Sequence, residues 1–208
     1  MAMPLDLWLA FVAASTALLL IPGPTVLLVL SYALSKGRSV AVACATGVAL
    51  GDLIAMTASL LGLGAIVLAS ATAFTVLKWV GALYLVWLGI KLIRSAPREG
   101  LTPSRNVTAQ GIFGHAAAVT ALNPKSIAFF IAFVPQFIRP DAPLLPQFGI
   151  LIVTFVGLAA INALAYALAA DRLRRIIAKP SVLTWITRAG GATLIGMGVL
   201  TATLRRAN

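Results

Sequence analysis

The sequence predicts an all-α integral membrane protein with six transmembrane helices, which form two inverted three-helix repeats and of which the first and fourth are broken. Composition, the spacing of the apolar segments and two similarly placed proline motifs lead to this prediction. Of the 208 residues, 61% are hydrophobic and 10% are charged, and the mean hydropathy is +1.02. Soluble domains carry about 25% charged residues. The chain is therefore expected to lie in a lipid bilayer.

Six segments are long and apolar enough to cross a bilayer, which takes about 20 residues. They are residues 7–34, 40–68, 72–93, 111–138, 145–169 and 182–204. A polar connector, residues 94–110, separates a first repeat, residues 1–93, from a second repeat, residues 111–208. The N-terminal segment lacks a basic stretch and a clear small-residue cleavage site, so we expect it to be the first span rather than a removed signal peptide.

Helix-breaking residues occur early in each half. The first segment contains Pro22, Gly23 and Pro24, and the fourth contains Asn123 and Pro124. Proline lacks the amide hydrogen, and its ring clashes with the preceding turn. Repeats with an odd number of spans must have opposite orientations, and transporters built in this way bind substrate beside discontinuous helices. The alternative is that these prolines only kink packed helices.

The basic residues predict the orientation of the chain. The net charge is +11, but the lysines and arginines lie in short connectors and form no continuous basic face. We therefore expect no nucleic-acid partner. Most basic residues follow the first, third and fifth segments, which predicts that this side is cytoplasmic and that both termini face outside. Arg205 and Arg206 at the C-terminus weigh against that orientation.

Asp52 is the only acidic residue deep within a predicted span. Carboxylates at bilayer depth are costly, face the bundle interior or an aqueous cavity, and mark ion or proton pathways. Because burial favours the neutral form of a carboxyl group, such a residue can exchange protons. We therefore predict that Asp52 is the proton-coupling group. The alternative is a permanent ion pair with Lys125, the only lysine well inside a span, which would lock the two halves together without transport.

Broken helices also offer backbone groups that can hold both ends of a zwitterion. We expect a carboxylate to bind at Lys125 and the adjacent half-helix N-terminus, and an ammonium to bind at Asp52 and free carbonyls near residues 22–24. Asn162 takes roughly the place in the second half that Asp52 takes in the first, one helix after the broken one. It is predicted to be the uncharged repeat partner of Asp52 and to bind substrate, and the alternative is an interhelical hydrogen-bonding residue only.

Gly47 and Gly51 form a GxxxG-type spacing directly before Asp52. Small residues at this spacing let helices approach closely. The pair therefore predicts tight packing of the second span, which would also fix the direction in which Asp52 points.

The remaining polar residues predict no catalytic chemistry. With one histidine, His115, and one cysteine, Cys44, no zinc-type ligand set can be assembled. His115 is expected to be an interfacial side chain or a pH-sensing group, Cys44 a buried hydrophobe rather than a reactive thiol, and Tyr84 and Tyr166 packing or interface residues. The chain contains no phosphate-binding loop, nucleophile elbow or paired catalytic carboxylates. We therefore predict no enzyme activity, no metal and no cofactor.

The motifs "PGP" in the first span, "GxxxGD" in the second and "NPK" in the fourth resemble the lysine exporter (LysE/RhtB-type) amino-acid efflux family over essentially the whole chain. The resemblance implies a bacterial inner-membrane exporter of amino acids such as threonine, homoserine, lysine or leucine, driven by the proton gradient. Residues that match the family motifs are expected to bind substrate: Pro22, Gly23, Pro24, Gly51, Asp52, Asn123, Pro124 and Lys125.

Two other functions remain open at this point. The chain could export another small solute or a cation. Cation sites use several oxygen ligands, however, and the predicted spans contain a single carboxylate. It could also be a non-transporting assembly protein in which Asp52 and Lys125 are structural. The expected partners are an amino acid, protons and the lipid bilayer, and the sequence leaves open whether the chain works as a monomer or a homodimer.

Overall fold

The computed structural model describes residues 3–21, 23–69, 71–94, 108–139, 142–177 and 180–203. Within these ranges the chain forms eight α-helices and no strand. The helices are α1 (Leu5–Leu20), α2 (Pro24–Lys36), α3 (Ala41–Ala69), α4 (Ala71–Arg94), α5 (Ala109–Ala121), α6 (Pro124–Ala132), α7 (Leu144–Ile177) and α8 (Pro180–Thr203). Two 3-10 turns, Arg38–Val40 and Val134–Phe137, precede α3 and follow α6. The predicted all-α class is confirmed for the described residues.

Proline and glycine set several helix boundaries. Helices α2, α6 and α8 begin at Pro24, Pro124 and Pro180, where the missing N–H would have no partner within the helix. Helix α2 ends at Lys36 and is followed by Gly37, whose φ of 75° suits a residue without a side chain. The breaks predicted in the first and fourth segments thus coincide with the α1–α2 and α5–α6 boundaries.

Two described helical segments are long and apolar enough to cross a membrane alone, Arg38–Gly62 and Leu144–Ala170. The pair α1–α2 has the length and composition of a third span and is bent by 55° at its break. Residues 95–107 of the predicted connector lie outside the described residues, and α4 and α5 flank them. The six-span count and the inverted arrangement remain predictions.

The long helices α3 and α7 pack against each other, and each contacts a broken helix pair of the opposite half. Helix α3 contacts α5 and α6, α7 contacts α1 and α2, and α4 packs along α8. A Cβ atom on Gly47 would lie 2.5 Å from the Phe113 carbonyl oxygen, and one on Gly51 would lie 2.5 Å from that of Ala117. The close helix approach predicted from the GxxxG spacing is confirmed, and it places α3 against α5 beside Asp52.

A cluster of phenylalanine rings fills the core between α1, α6, α7 and the second 3-10 turn. Its members are Phe11, Phe129, Phe130, Phe133, Phe137 and Phe155. The closest pair, Phe130 and Phe155, meets edge to face with ring centroids 4.8 Å apart, a favourable aromatic geometry. This cluster anchors the short helix α6, which carries Lys125 in its first turn.

Candidate functional site

A small cavity lies where the starts of α2 and α6 meet the long helices α3 and α7. Its volume is about 20 Å³, which is room for water, since about 10–15 Å³ holds one molecule. Its polar lining includes Thr25, Asp52, Asn123, Lys125, Asn162 and Tyr166. The structure therefore brings together four side chains that the sequence singled out: Asp52, Asn123, Lys125 and Asn162.

Asn123 connects the starts of the two helices that follow the breaks. Its Oδ1 accepts a hydrogen bond from the backbone N–H of Lys125 at 3.1 Å, and its Nδ2 donates to Thr25 Oγ1 at 3.1 Å. Asparagine is a preferred N-cap because its side chain satisfies an amide that has no partner within the helix. Asn123 thus caps α6 and ties it to the first turn of α2.

The Lys125 ammonium binds the end of α1. Its Nζ donates to the carbonyl oxygens of Ile21 at 2.8 Å and Leu18 at 3.1 Å, and the residue is only 8% exposed. A helix C-terminus carries partial negative charge, which favours a cation there. Gly23 leaves space for the lysine, because a Cβ atom at this position would lie 3.3 Å from Nζ and 3.4 Å from Cε.

Two neutral side chains of α7 bind the remaining carbonyls at this helix end. Asn162 Nδ2 donates to the Leu19 carbonyl at 3.1 Å, and the Tyr166 hydroxyl donates to the Leu20 carbonyl at 3.0 Å. The last carbonyls of a helix have no partner within the helix. All four carbonyls of residues 18–21 are therefore bound by side chains from the second half of the chain.

Asp52 lies in the same cavity without a comparable set of partners. The residue is 2% exposed, and its Oδ1 is buried with no hydrogen-bond partner among the described residues. In the described part of the chain, its carboxylate forms no ion pair with Lys125, whose ammonium binds backbone carbonyls instead. The direct ion pair considered from the sequence is therefore not formed in this structure.

The other described residues predicted for substrate binding, Gly23, Pro24, Gly51 and Pro124, do not line the cavity. Pro22 is outside the described residues. Gly23 is buried against the lysine side chain, and Gly51 packs against α5. Pro24 and Pro124 are exposed at the first positions of their helices. Their contribution is to end one helix and start the next.

Tyr166 has a role in addition to the packing predicted from the sequence. It packs against the hydrophobic core, as expected, and it also lines the cavity and donates a hydrogen bond to the end of α1. It lies one helical turn after Asn162, a spacing that places both side chains on one face of α7. Thr25 was not singled out from the sequence, although it directly follows Pro24. In the structure its hydroxyl lies 3.3 Å from Thr120 Oγ1. Both residues could have been found from their spacing to the predicted ones.

The remaining polar candidates lie outside this cavity wall. His115 is exposed, and its Nδ1 shares a hydrogen bond of 2.7 Å with the Tyr32 hydroxyl. Cys44 is fully buried, as expected for a small hydrophobe. Tyr84 is 38% exposed, with its ring beside that of Trp87.

Comparison with known proteins gives the family. A family model described as LysE type translocator matches residues 16–205. The chain is 35% identical to an uncharacterised membrane protein of Vibrio cholerae over 98% of this chain and 100% of that protein. It is also 35% identical to a homoserine/homoserine lactone efflux protein of Salmonella typhimurium over 99% of this chain and 100% of that protein.

A leucine efflux protein of Klebsiella pneumoniae is 28% identical over 65% of each chain. No solved structure matches the chain. The family match over residues 16–205 and two relatives that align with almost the entire chain confirm the resemblance found in the sequence motifs. This membrane protein belongs to the LysE type translocator family.

Proposed function

We propose that this protein is a secondary transporter, not an enzyme, and that it exports amino acids or close derivatives from the cytoplasm by antiport with protons. The observation that carries the proposal is a single cavity lined by a buried carboxylate, Asp52, and a buried ammonium, Lys125. An amino acid has one group that complements each of them. The efflux proteins of homoserine, homoserine lactone and leucine among the relatives support this substrate class.

The size of the cavity supports a place for this conformation in the proposed transport cycle. A volume of about 20 Å³ admits water but not an amino acid. In the proposed cycle this is therefore a closed state without substrate. The helices around the cavity have to separate on one side of the membrane at a time before a substrate can enter, as in alternating access.

Helix contacts support two inverted repeats, residues 1–93 and 111–208, joined by the connector at residues 94–110. In each half a broken pair, α1–α2 or α5–α6, is followed by two longer helices. The contacts are reciprocal, since α3 packs on α5 and α6 while α7 packs on α1 and α2. An inverted repeat places the substrate site between its halves, and the cavity has lining residues from both.

In the proposed cycle, Asp52 couples transport to protons. Facing the cytoplasm, its carboxylate binds the substrate ammonium; facing outside, it takes up a proton, which weakens this contact and releases the substrate. The proton then returns inward with the empty carrier. We propose the bacterial inner membrane as the location, with both termini outside, on the basis of the distribution of lysine and arginine.

The test is efflux from proteoliposomes loaded with radiolabelled homoserine, threonine, leucine or lysine, with and without an inward proton gradient. Wild-type protein should show efflux that the gradient stimulates. Asp52→Asn should fold normally and lose the stimulation, whereas Asp6→Asn, which changes an exposed acidic residue in the first turn of α1, should behave as wild type.

Three outcomes would count against the proposal. Efflux without linked proton movement would exclude the antiport cycle. Stimulation that persists in Asp52→Asn would exclude Asp52 as the coupling group. Absence of efflux for every amino acid, with well-folded protein, would exclude the substrate class and favour another solute or the structural role.

A further inference from the structure

The four carbonyls at the end of α1 accept hydrogen bonds from two kinds of side-chain donor, neutral and charged. Those of Leu19 and Leu20 receive neutral donors, one from an amide and one from a hydroxyl. Those of Leu18 and Ile21 share one charged donor, the Lys125 ammonium, and the Leu18 carbonyl also accepts the Ile21 backbone N–H at 3.2 Å. These two carbonyls thus form a buried site that already holds a primary ammonium group, which is also the group that every amino acid substrate carries.

We infer that the carbonyls of Leu18 and Ile21 are the binding site for the substrate ammonium, and that Lys125 occupies this site only while no substrate is bound. The inference rests on the proposed amino-acid export and specifies how the substrate is held. On entering, the substrate ammonium displaces the Lys125 ammonium from the two carbonyls. The released lysine then binds the substrate carboxylate.

Donor and acceptor numbers fit this exchange. An ammonium group has three donors, and the two carbonyls accept only two of them in the present arrangement. Asp52 lines the same cavity, and its Oδ1 is buried without a partner among the described residues. A substrate ammonium seated on the two carbonyls keeps its third donor. Because the Lys125 ammonium in this position forms no ion pair with Asp52 in the present conformation, this donor reaches Asp52 only when the substrate draws α3 and the end of α1 closer together.

Space and flexibility also fit the exchange. Because the cavity of about 20 Å³ has no room for an amino acid, side chains that line it must move away when the substrate enters. The lysine side chain has a flexible four-carbon stem and lies beside Gly23, where no side chain holds it in place. Charge balance is kept, because one cation and one anion line the cavity and a zwitterion adds no net charge.

The exchange predicts how the protein discriminates between a zwitterion and a plain cation. Homoserine brings an ammonium to the carbonyls and a carboxylate to the displaced lysine. Homoserine lactone brings the ammonium alone, so that Lys125 would be displaced without gaining an anion. Lys125 therefore favours homoserine and disfavours the lactone. A lysine with a purely structural role would affect both ligands in the same direction.

The experiment measures binding of L-homoserine and L-homoserine lactone by isothermal titration calorimetry. It uses full-length wild type and Lys125→Met in lipid nanodiscs, in one near-neutral buffer, with the lactone dissolved immediately before each titration so that its ring stays closed. Lys125→Met should bind homoserine about tenfold more weakly or worse, the size of a lost charged hydrogen bond, and should bind the lactone several-fold more tightly. Lys36→Met, at the exposed end of α2, is the matched control and should leave both affinities unchanged.

Lys125→Gln keeps the experiment decisive if the methionine variant does not fold, because its amide can still donate to a carbonyl without carrying charge. Lys125→Gln should likewise bind homoserine more weakly and the lactone more tightly, with smaller changes than Lys125→Met. Folded variants that weaken both ligands alike would overturn the inference and leave the proposed export untouched. Wild-type protein that binds neither ligand would also overturn it, whereas the proteoliposome efflux panel decides the proposed function by itself.

Discussion

Substitution of Gly51 by alanine should disrupt the packing of α3 against α5. The added Cβ atom would lie 2.5 Å from the Ala117 carbonyl oxygen, 2.7 Å from Thr120 Cβ and 2.9 Å from the Ala121 nitrogen. Two of these atoms belong to the backbone, so no side-chain rotation relieves the overlap. To restore ordinary contact near 3.5 Å, the two helices must separate by about 1 Å. Overpacking of this kind lowers the free energy of unfolding by about 1–3 kcal/mol.

Gly62→Ala is the matched control, since it changes another glycine of α3 where an added Cβ would meet no atom within 4 Å. Alanine stabilises an open helix position by about 1 kcal/mol relative to glycine, so this variant should be as stable as wild type or more stable. The assay is denaturant unfolding of the purified variants in one detergent. Equal stability of Gly51→Ala and wild type, or equal losses in both variants, would refute the reasoning.

Three further substitutions test the polar contacts of the cavity by the same unfolding assay. Asp52→Asn should raise the free energy of unfolding, because an amide costs less to bury than a carboxylate with an unpartnered oxygen. A decrease of about 3–5 kcal/mol would instead show that the buried Lys125 ammonium needs the negative charge of Asp52. Tyr166→Phe removes the hydrogen bond to the Leu20 carbonyl and should lower the free energy of unfolding by about 0.6 kcal/mol. An unchanged free energy would show that this hydrogen bond does not stabilise the fold. Asn123→Ala removes the cap of α6 and should lower stability by about 1 kcal/mol and reduce efflux; full stability would argue against the capping role.

Features that depend on local chemistry could be predicted from the sequence. The starts of α2 and α6 follow from Pro24 and Pro124, since proline determines where a helix begins whatever surrounds it. The burial of Asp52 and Lys125 follows from their positions within apolar segments, where ionisable side chains face the bundle interior or a cavity. In each case the physical constraint acts within a few residues of the chain or on the residue's own solvation.

The partner of Lys125 could not be predicted in the same way. The sequence suggests Asp52 because opposite charges attract, but a broken helix end supplies carbonyls that also bind an ammonium group. The structure shows the lysine on the carbonyls of Leu18 and Ile21. Which acceptor it uses depends on how α6 packs against the end of α1, which a local sequence pattern does not encode. The spacing to Asn162 places Tyr166 on the same face of α7, but the acceptor of its hydroxyl, the Leu20 carbonyl, depends on the same packing.

The two halves carry different chemistry at corresponding places, and this difference bears on the substrate. Thr25 and Lys125 both follow a helix-starting proline, and in the proposed repeats Asp52 corresponds to Asn162 on the next long helix. The end of α1 is therefore covered by donors, whereas α3 brings an acceptor-only carboxylate to the cavity. A molecule that is to satisfy both sides at once must present donors to the carboxylate and acceptors to the lysine. A free zwitterion does so with charged groups at its two ends, and this is the chemical reason to expect amino acids rather than simple cations or anions as the exported solutes.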